Sequence, residues 1–312
     1  MNLKPILLAT AVFATLPAVT DAAGPPKDIG MSVGSLGNPF FVACIKGAQA
    51  EAKKLNPDAK VTAVSSDYDL NKQATQIDNF IAAGDQMILL NAVDPVAIFP
   101  AIKRAQAQGI VIAAFDVAAQ GADVTVQTNN IKAGEIACQY LADNIDHKGN
   151  VVIINGPPVS SVVDRVKGCE GVLKKYPDMK VLSDNQNAKG SRDGGFQIMQ
   201  GLLTEYPHID GVFGINDPTS IGADLAAHQL HRTEMKIVSV DGAPDIEAAL
   251  KQPGNLIIAS ASQDPYEIAA KAAELGAQIV EGHKLAQTMV LLDPKLITRQ
   301  NVGEYKGWTA PR

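Results

Sequence analysis

Five places in the 312-residue chain put an acid, an amide or both directly behind a short strand-like run. They are Asn91 behind "MILL", Asp116 behind "IAAF", Asn216-Asp217 behind "FGI", Asp241 behind "VSV" and Gln263-Asp264 behind "SAS". Carboxylates only accept hydrogen bonds, whereas Asn and Gln donate and accept, so such a set suits a ligand rich in hydroxyls. In open α/β sheets ligands bind beyond the carboxyl ends of the strands, where these residues would stand. The competing use is helix capping, because Asp and Asn commonly open the helix after a strand. For Asp94-Pro95 and Asp217-Pro218 the cap is favoured, since proline suits the first helical position. Asn91 and Asn216 are then left at tips whose capping position is already filled. Asp116 and Asp241 lead into the loops "VAAQG" and "GAP", so these four read as binding residues.

Other chemistry is weaker. Phe40 and Phe41 stand behind Asn38-Pro39 in "GNPFFVACIKGAQAEAKKL", at the mouth of an amphipathic helix. They suit either a cover for a ligand or a hydrophobic staple packing the helix onto its own domain. His228 and His231 are three apart but lack a third ligand, so no metal site is expected. "DYDLN", Asp67 to Asn71, begins like a calcium loop, but Lys72 replaces the required glycine; it reads as a turn and helix cap. Neither a phosphate loop nor a nucleophile elbow nor HExxH is present. Asp116 with Asp241 would make a carboxylate pair of the kind glycosidases use.

The elements that must position these residues alternate. Strand-like runs are Ile29 to Ser35, Lys60 to Ser65, Met87 to Asn91, Ile110 to Asp116 and Val124 to Thr128. A second series follows: Val151 to Asn155, Lys180 to Ser183, Gly211 to Ile215, Lys236 to Asp241 and Leu256 to Ser262. Continuous apolar runs such as "MILLN" and "VVIIN" predict strands buried on both faces. Between them lie segments of helical period, such as "AIFPAIKRAQAQG" and "FQIMQGLLTEYP". The fold class is α/β, with two doubly wound domains of parallel sheet.

Lys4, the apolar run Pro5 to Val19 and the small residues Ala22-Ala23 form an export signal, with residues 1–22 removed. Its loss takes away Lys4 and Asp21 and leaves the net charge at −6. No basic stripe offsets that charge, which argues against a nucleic-acid partner. No later run is long and apolar enough to span a bilayer. Three cysteines, Cys44, Cys138 and Cys169, sit in an exported chain where disulfides persist, and one must stay unpaired.

The pieces "NPFFVACIKGAQAEA", "DRVKGCEGVLKKYP", "MQGLLTEYP", "INDPTSIGA", "VSVDGAPD" and "ASASQDPYEIAAKAA", in this order, resemble periplasmic sugar-binding proteins of the ribose-binding type, relatives of the LacI-type repressors. The resemblance implies two lobes joined by chain crossings near Thr128-Asn130, Gln263-Pro265 and Leu292-Pro294. Residues 27–128 with 264–292 would form the first lobe, and 129–263 with 293–312 the second. It implies a pocket of Asn38, Phe40, Phe41, Asn91, Asp116, Arg165, Asn216, Asp241 and Gln263. It also places Cys138 and Cys169 in the second lobe and Cys44 in the first, so a disulfide would join Cys138 to Cys169. Such a bond would be worth about 2–4 kcal/mol.

Sugar chemistry fits this pocket. Aromatic rings cover C–H faces, charged and amide groups bind the hydroxyl rim, and an unmet hydroxyl costs about 1–3 kcal/mol. Val117, Gly190 and Val240 depart from the ribose-binding pattern, which opens the site to another monosaccharide or an acyclic polyol. Lys189 or Arg192 would then supply a substitute contact. The expected function is the periplasmic receptor of an ABC importer, a monomer and not an enzyme, without cofactor, that delivers a monosaccharide or sugar alcohol to a membrane permease. A chemoreceptor is a second candidate partner. The alternatives are a binder of a non-sugar signalling solute, an exported sugar-acting enzyme and a repressor core; the last needs an N-terminal helix-turn-helix where this chain has an export signal.

Overall fold

The computed structural model describes residues 24–310; the expected export segment and its cleavage site lie outside them. Twelve strands and nine helices among these residues form two six-stranded sheets. The first sheet has the order β11-β5-β4-β3-β1-β2. Its strands are β1 (Asp28–Val33), β2 (Lys60–Ser65), β3 (Met87–Leu90), β4 (Val111–Phe115), β5 (Val124–Thr128) and β11 (Met289–Leu292), all parallel. The second, β12-β10-β9-β8-β6-β7, repeats the pattern. It contains β6 (Gly149–Asn155), β7 (Met179–Asn187), β8 (Gly211–Gly214), β9 (Lys236–Asp241) and β10 (Ile257–Ser262), with β12 (Lys295–Thr298) antiparallel at one edge.

The apolar runs are explained by alternation across each sheet. Met87 and Leu89 of β3 enter one core cluster while Ile88 and Leu90 enter another on the opposite face. In β6, Val152 and Ile154 face one cluster and Val151 and Ile153 the other. Each sheet is thus buried on both sides, as doubly wound folds require.

All ten expected strands are present, and β11 and β12 are additional. They are separated only by Asp293-Pro294 and lie at the edges of the two sheets. The chain passes from β11 in one sheet directly to β12 in the other.

Helices α1 (Pro39–Leu55) and α9 (Pro265–Val280) pack together on the first sheet, although α9 follows a strand of the second. Their crossing is close at Gly47, where a Cβ would overlap the carbonyl of Tyr266. On the second sheet α4 (Asn130–Asn144) crosses α5 (Ser160–Leu173) through Gly134 and Gly168, each abutting the other helix's backbone. One turn on, Cys138 and Cys169 form a disulfide with Cα atoms 5.1 Å apart. Cys44 on α1 is a free, buried thiol, and burial pushes its pKa well up.

Candidate functional site

The tips of the second sheet form a connected polar network. Arg165, brought to the sheet by the tight α4–α5 crossing, is only 5% exposed. Its Nε donates to Asn130 Oδ1 at 2.9 Å, and its Nη1 donates to the Ile215 carbonyl at 2.9 Å and to Asp241 Oδ1 at 3.1 Å. The same Asp241 oxygen accepts from Gln263 Nε2 at 2.7 Å. Gln263 Oε1 accepts in turn from the Thr128 hydroxyl at 2.9 Å, and Asn130 Nδ2 donates to the Thr128 carbonyl at 3.0 Å. The ring of contacts therefore ties the end of β5, in the first sheet, to the tips of β9 and β10. A buried charge needs this company, since an isolated one would cost several kcal/mol.

The first sheet contributes a sparser pair. Asn91 Nδ2 donates to Asp116 Oδ2 at 2.9 Å. Asn91 is held from behind by Gln73, whose Nε2 donates to its carbonyl at 2.8 Å and whose Oε1 accepts from the Val93 N–H at 2.9 Å. Burial lifts the Asp116 carboxyl to about 6; Arg165 draws it down, Asp241 pushes it up and the Asn91 amide lowers it further. The tips of the two sheets therefore lie within electrostatic reach of one another. Burial also raises Asp241, with Arg165 and Gln263 restraining it.

Both strand-end aspartates have positive φ, 66° at Asp116 and 137° at Asp241. The first is a left-handed conformation that Asp tolerates; the second is strained for a residue with a Cβ. Non-glycine residues held this way cluster at ligand sites.

Phe40 and Phe41 are both buried, edge to face with centroids 5.3 Å apart, and both belong to the core cluster under α1. Asn38 caps α1, its Oδ1 accepting from the Phe40 N–H at 3.0 Å.

Two readings are corrected. Asn216, not Asp217, caps α7 (Asp217–Gln229): its Oδ1 accepts from the Thr219 N–H at 3.1 Å, and its Nδ2 donates to the Gly190 carbonyl at 3.0 Å. Asp217 is fully buried instead, accepting from the Ser260 hydroxyl and the Ala243 N–H at 2.7 Å each. Burial and nearby Asp241 push its carboxyl to about 8. Val240 points into the core of the second lobe, because the alternation that presents Asp241 turns its neighbour inward; its type therefore says nothing of the ligand.

Arg192, weighed as a substitute contact, pairs with Asp245 at 2.5 Å. His228 lies 3.4 Å from Asp224, and Asp67 pairs with Lys72 at 2.5 Å. Asn130, Thr128 and Trp308 were not singled out by their sequence context. Trp308 was detectable as the single tryptophan of the chain, but nothing local placed it near Phe40, 5.5 Å away.

Residues 29–284 match the model of a family described as the periplasmic binding protein domain. The chain is 31% identical over 305 residues to a ribose import binding protein of Salmonella typhimurium, covering 96% of this chain and 100% of that one. It is 32% identical over 287 residues to a xylitol-binding protein of Mycolicibacterium smegmatis, covering 91% and 80%. Among solved structures, an ABC transporter periplasmic solute-binding protein from Actinobacillus succinogenes with bound D-allose superposes with a TM-score of 0.82 at 25% identity, covering 89% of this chain and 100% of that one.

Proposed function

The chain belongs to the periplasmic binding protein family, and from that premise we propose that it is the solute receptor of an ABC importer. It binds a monosaccharide or sugar alcohol between its lobes and delivers it to a membrane permease. One observation carries the reading: Asp116, at a strand tip of one sheet and bonded to Asn91, feels the charges of Arg165 and Asp241 at the tips of the other, where Gln263 completes the network.

The lobes comprise residues 27–128 with 264–292, and 129–263 with 293–312. They close by bending at the three segments that pass between the sheets. Because contacts come from both lobes, a ligand binds the closed form more tightly and selects it. Asp116 supplies acceptors for hydroxyls, with the Asn91 amide as its side-chain donor among the described residues. Arg165 and Gln263 donate, Asn216 holds the α7 start beside them through its cap, and Phe40 and Phe41 cover the C–H face. Asn38 orients that wall through its cap. Among the described residues the cation that acts on Asp116 is Arg165 of the other lobe, and the next residue is Val117, which favours a neutral polyhydroxylated ligand over an anionic one. Family membership supports capture rather than turnover, and a periplasmic location after removal of residues 1–22.

A thermal-shift screen of ribose, xylitol, allose and related pentoses, hexoses and polyols tests this. A true ligand at a hundred times its Kd stabilises by about 2.7 kcal/mol. The reading fails if none raises the unfolding temperature, or if the bound sugar is recovered chemically altered.

A further inference from the structure

The segment after β12 does something that neither sheet requires. Tyr305 packs against the core cluster of the second sheet, and its hydroxyl donates to the Gly242 carbonyl at 3.0 Å, in the loop that carries Asp241. Three residues later Trp308 enters the core cluster of the first sheet, with 8% of its surface exposed. Its ring meets Phe40 edge to face at 5.5 Å, and its Nε1 donates to the Gln263 carbonyl at 3.1 Å. Ala243, from the same loop as Gly242, packs against that cluster as well. A short stretch of chain thus has one aromatic against the second-sheet core and one in the first-sheet core, and touches the backbone of two site-bearing segments.

We propose that Trp308 is a positioning residue: the C-terminal tail straps the lobes together and biases the unliganded protein toward its closed arrangement. The role of Phe40 in covering a ligand rests on the function proposed above, whereas the strap itself does not depend on any ligand. An edge-to-face pair contributes beyond its buried area, and the indole N–H would lose its partner if Trp308 stayed in the first-sheet core as the lobes separated. Opening must therefore break the Phe40 contact, the Gln263 hydrogen bond or the Tyr305 anchor. The tail acts on the hinge equilibrium rather than on ligand chemistry, and it lowers the cost of closure that a ligand would otherwise meet.

The test uses the full mature chain without ligand, as wild type, Trp308→Ala and Trp308→Phe. Small-angle scattering and hydrogen exchange are measured on each. Trp308→Ala is expected to enlarge the radius of gyration and to speed exchange at residues 40–44 and 263–264 by about tenfold, with strands β6, β8 and β9 unchanged. Trp308→Phe, which keeps a ring against Phe40 but has no N–H, is expected to fall between the two. An unchanged radius with wild-type exchange in Trp308→Ala overturns the proposal. Loss of protection spread evenly over both sheets also overturns it, because that pattern marks plain core packing. Should the alanine variant not fold, the phenylalanine variant decides by the same two measurements. A negative sugar screen would leave this outcome untouched.

Discussion

The strand tips of the two lobes are prepared to different degrees. On the second lobe Asp241 receives Arg165 and Gln263, and Arg165 is fixed further by Asn130 and the Ile215 carbonyl. On the first lobe the Asp116 side chain has, among the described residues, the one hydrogen bond from Asn91 and a carboxyl lifted to about 6. Preorganised groups lose little freedom on binding, whereas an under-satisfied carboxylate gains most from a ligand's hydroxyls. One lobe's tips are tied into a network, and the other's are sparsely partnered.

The largest expected effect comes from removing the anchor of the networked side. Arg165→Ala leaves Asp241 buried without its cation and should cost about 3–5 kcal/mol of unfolding free energy in urea titration. A loss below about 1 kcal/mol would erase the contrast, since the network would then not be holding the charge.

Reducing the Cys138–Cys169 bond is the next test. It should cost about 2–4 kcal/mol, and hydrogen exchange should localise the loosening to α4 and α5 while β1, β3 and β4 stay protected. Equal loosening of both lobes would mean that the second owes no separate stiffness to its staple.

The smallest effect concerns Asp116. Its folded pKa of about 6 lies above the ordinary value of 3.8, so the folded state takes up the proton first as pH falls. Its penalty is therefore full at pH 7 and is relieved between about pH 6 and pH 4. Asp116→Asn should gain about 1–2 kcal/mol at pH 7 and reduce the stabilisation seen on acidification. Identical pH–stability curves for the two proteins would show that Asp116 is not strained by its surroundings.

Much of this was legible in the residues. The inner strands announced themselves because burial on both faces demands continuous apolar runs, and Asp116 and Asp241 stood out because no helix follows them directly. Two kinds of feature were hidden. Asn216 and Asp217 exchange roles because the cap is decided by backbone conformation at the strand end, where Asn216 is extended and Asp217 already helical. Thr128, Asn130 and Trp308 matter through partners between 2 and 268 positions away along the chain, a separation no local pattern records.

The placement of α9 bears on biosynthesis. Ile268, Ala269, Ala272 and Ala273 line the same core as Ile29, Met31 and Val33, although more than two hundred positions lie between them. A ribosome delivers the amino-terminal end first, so the earliest strands emerge with one face covered by α1 alone and remain so until nearly the whole polypeptide has been made. A product truncated before residue 265 would expose the rest of that apolar face, and the early portion must be shielded from self-association during translation.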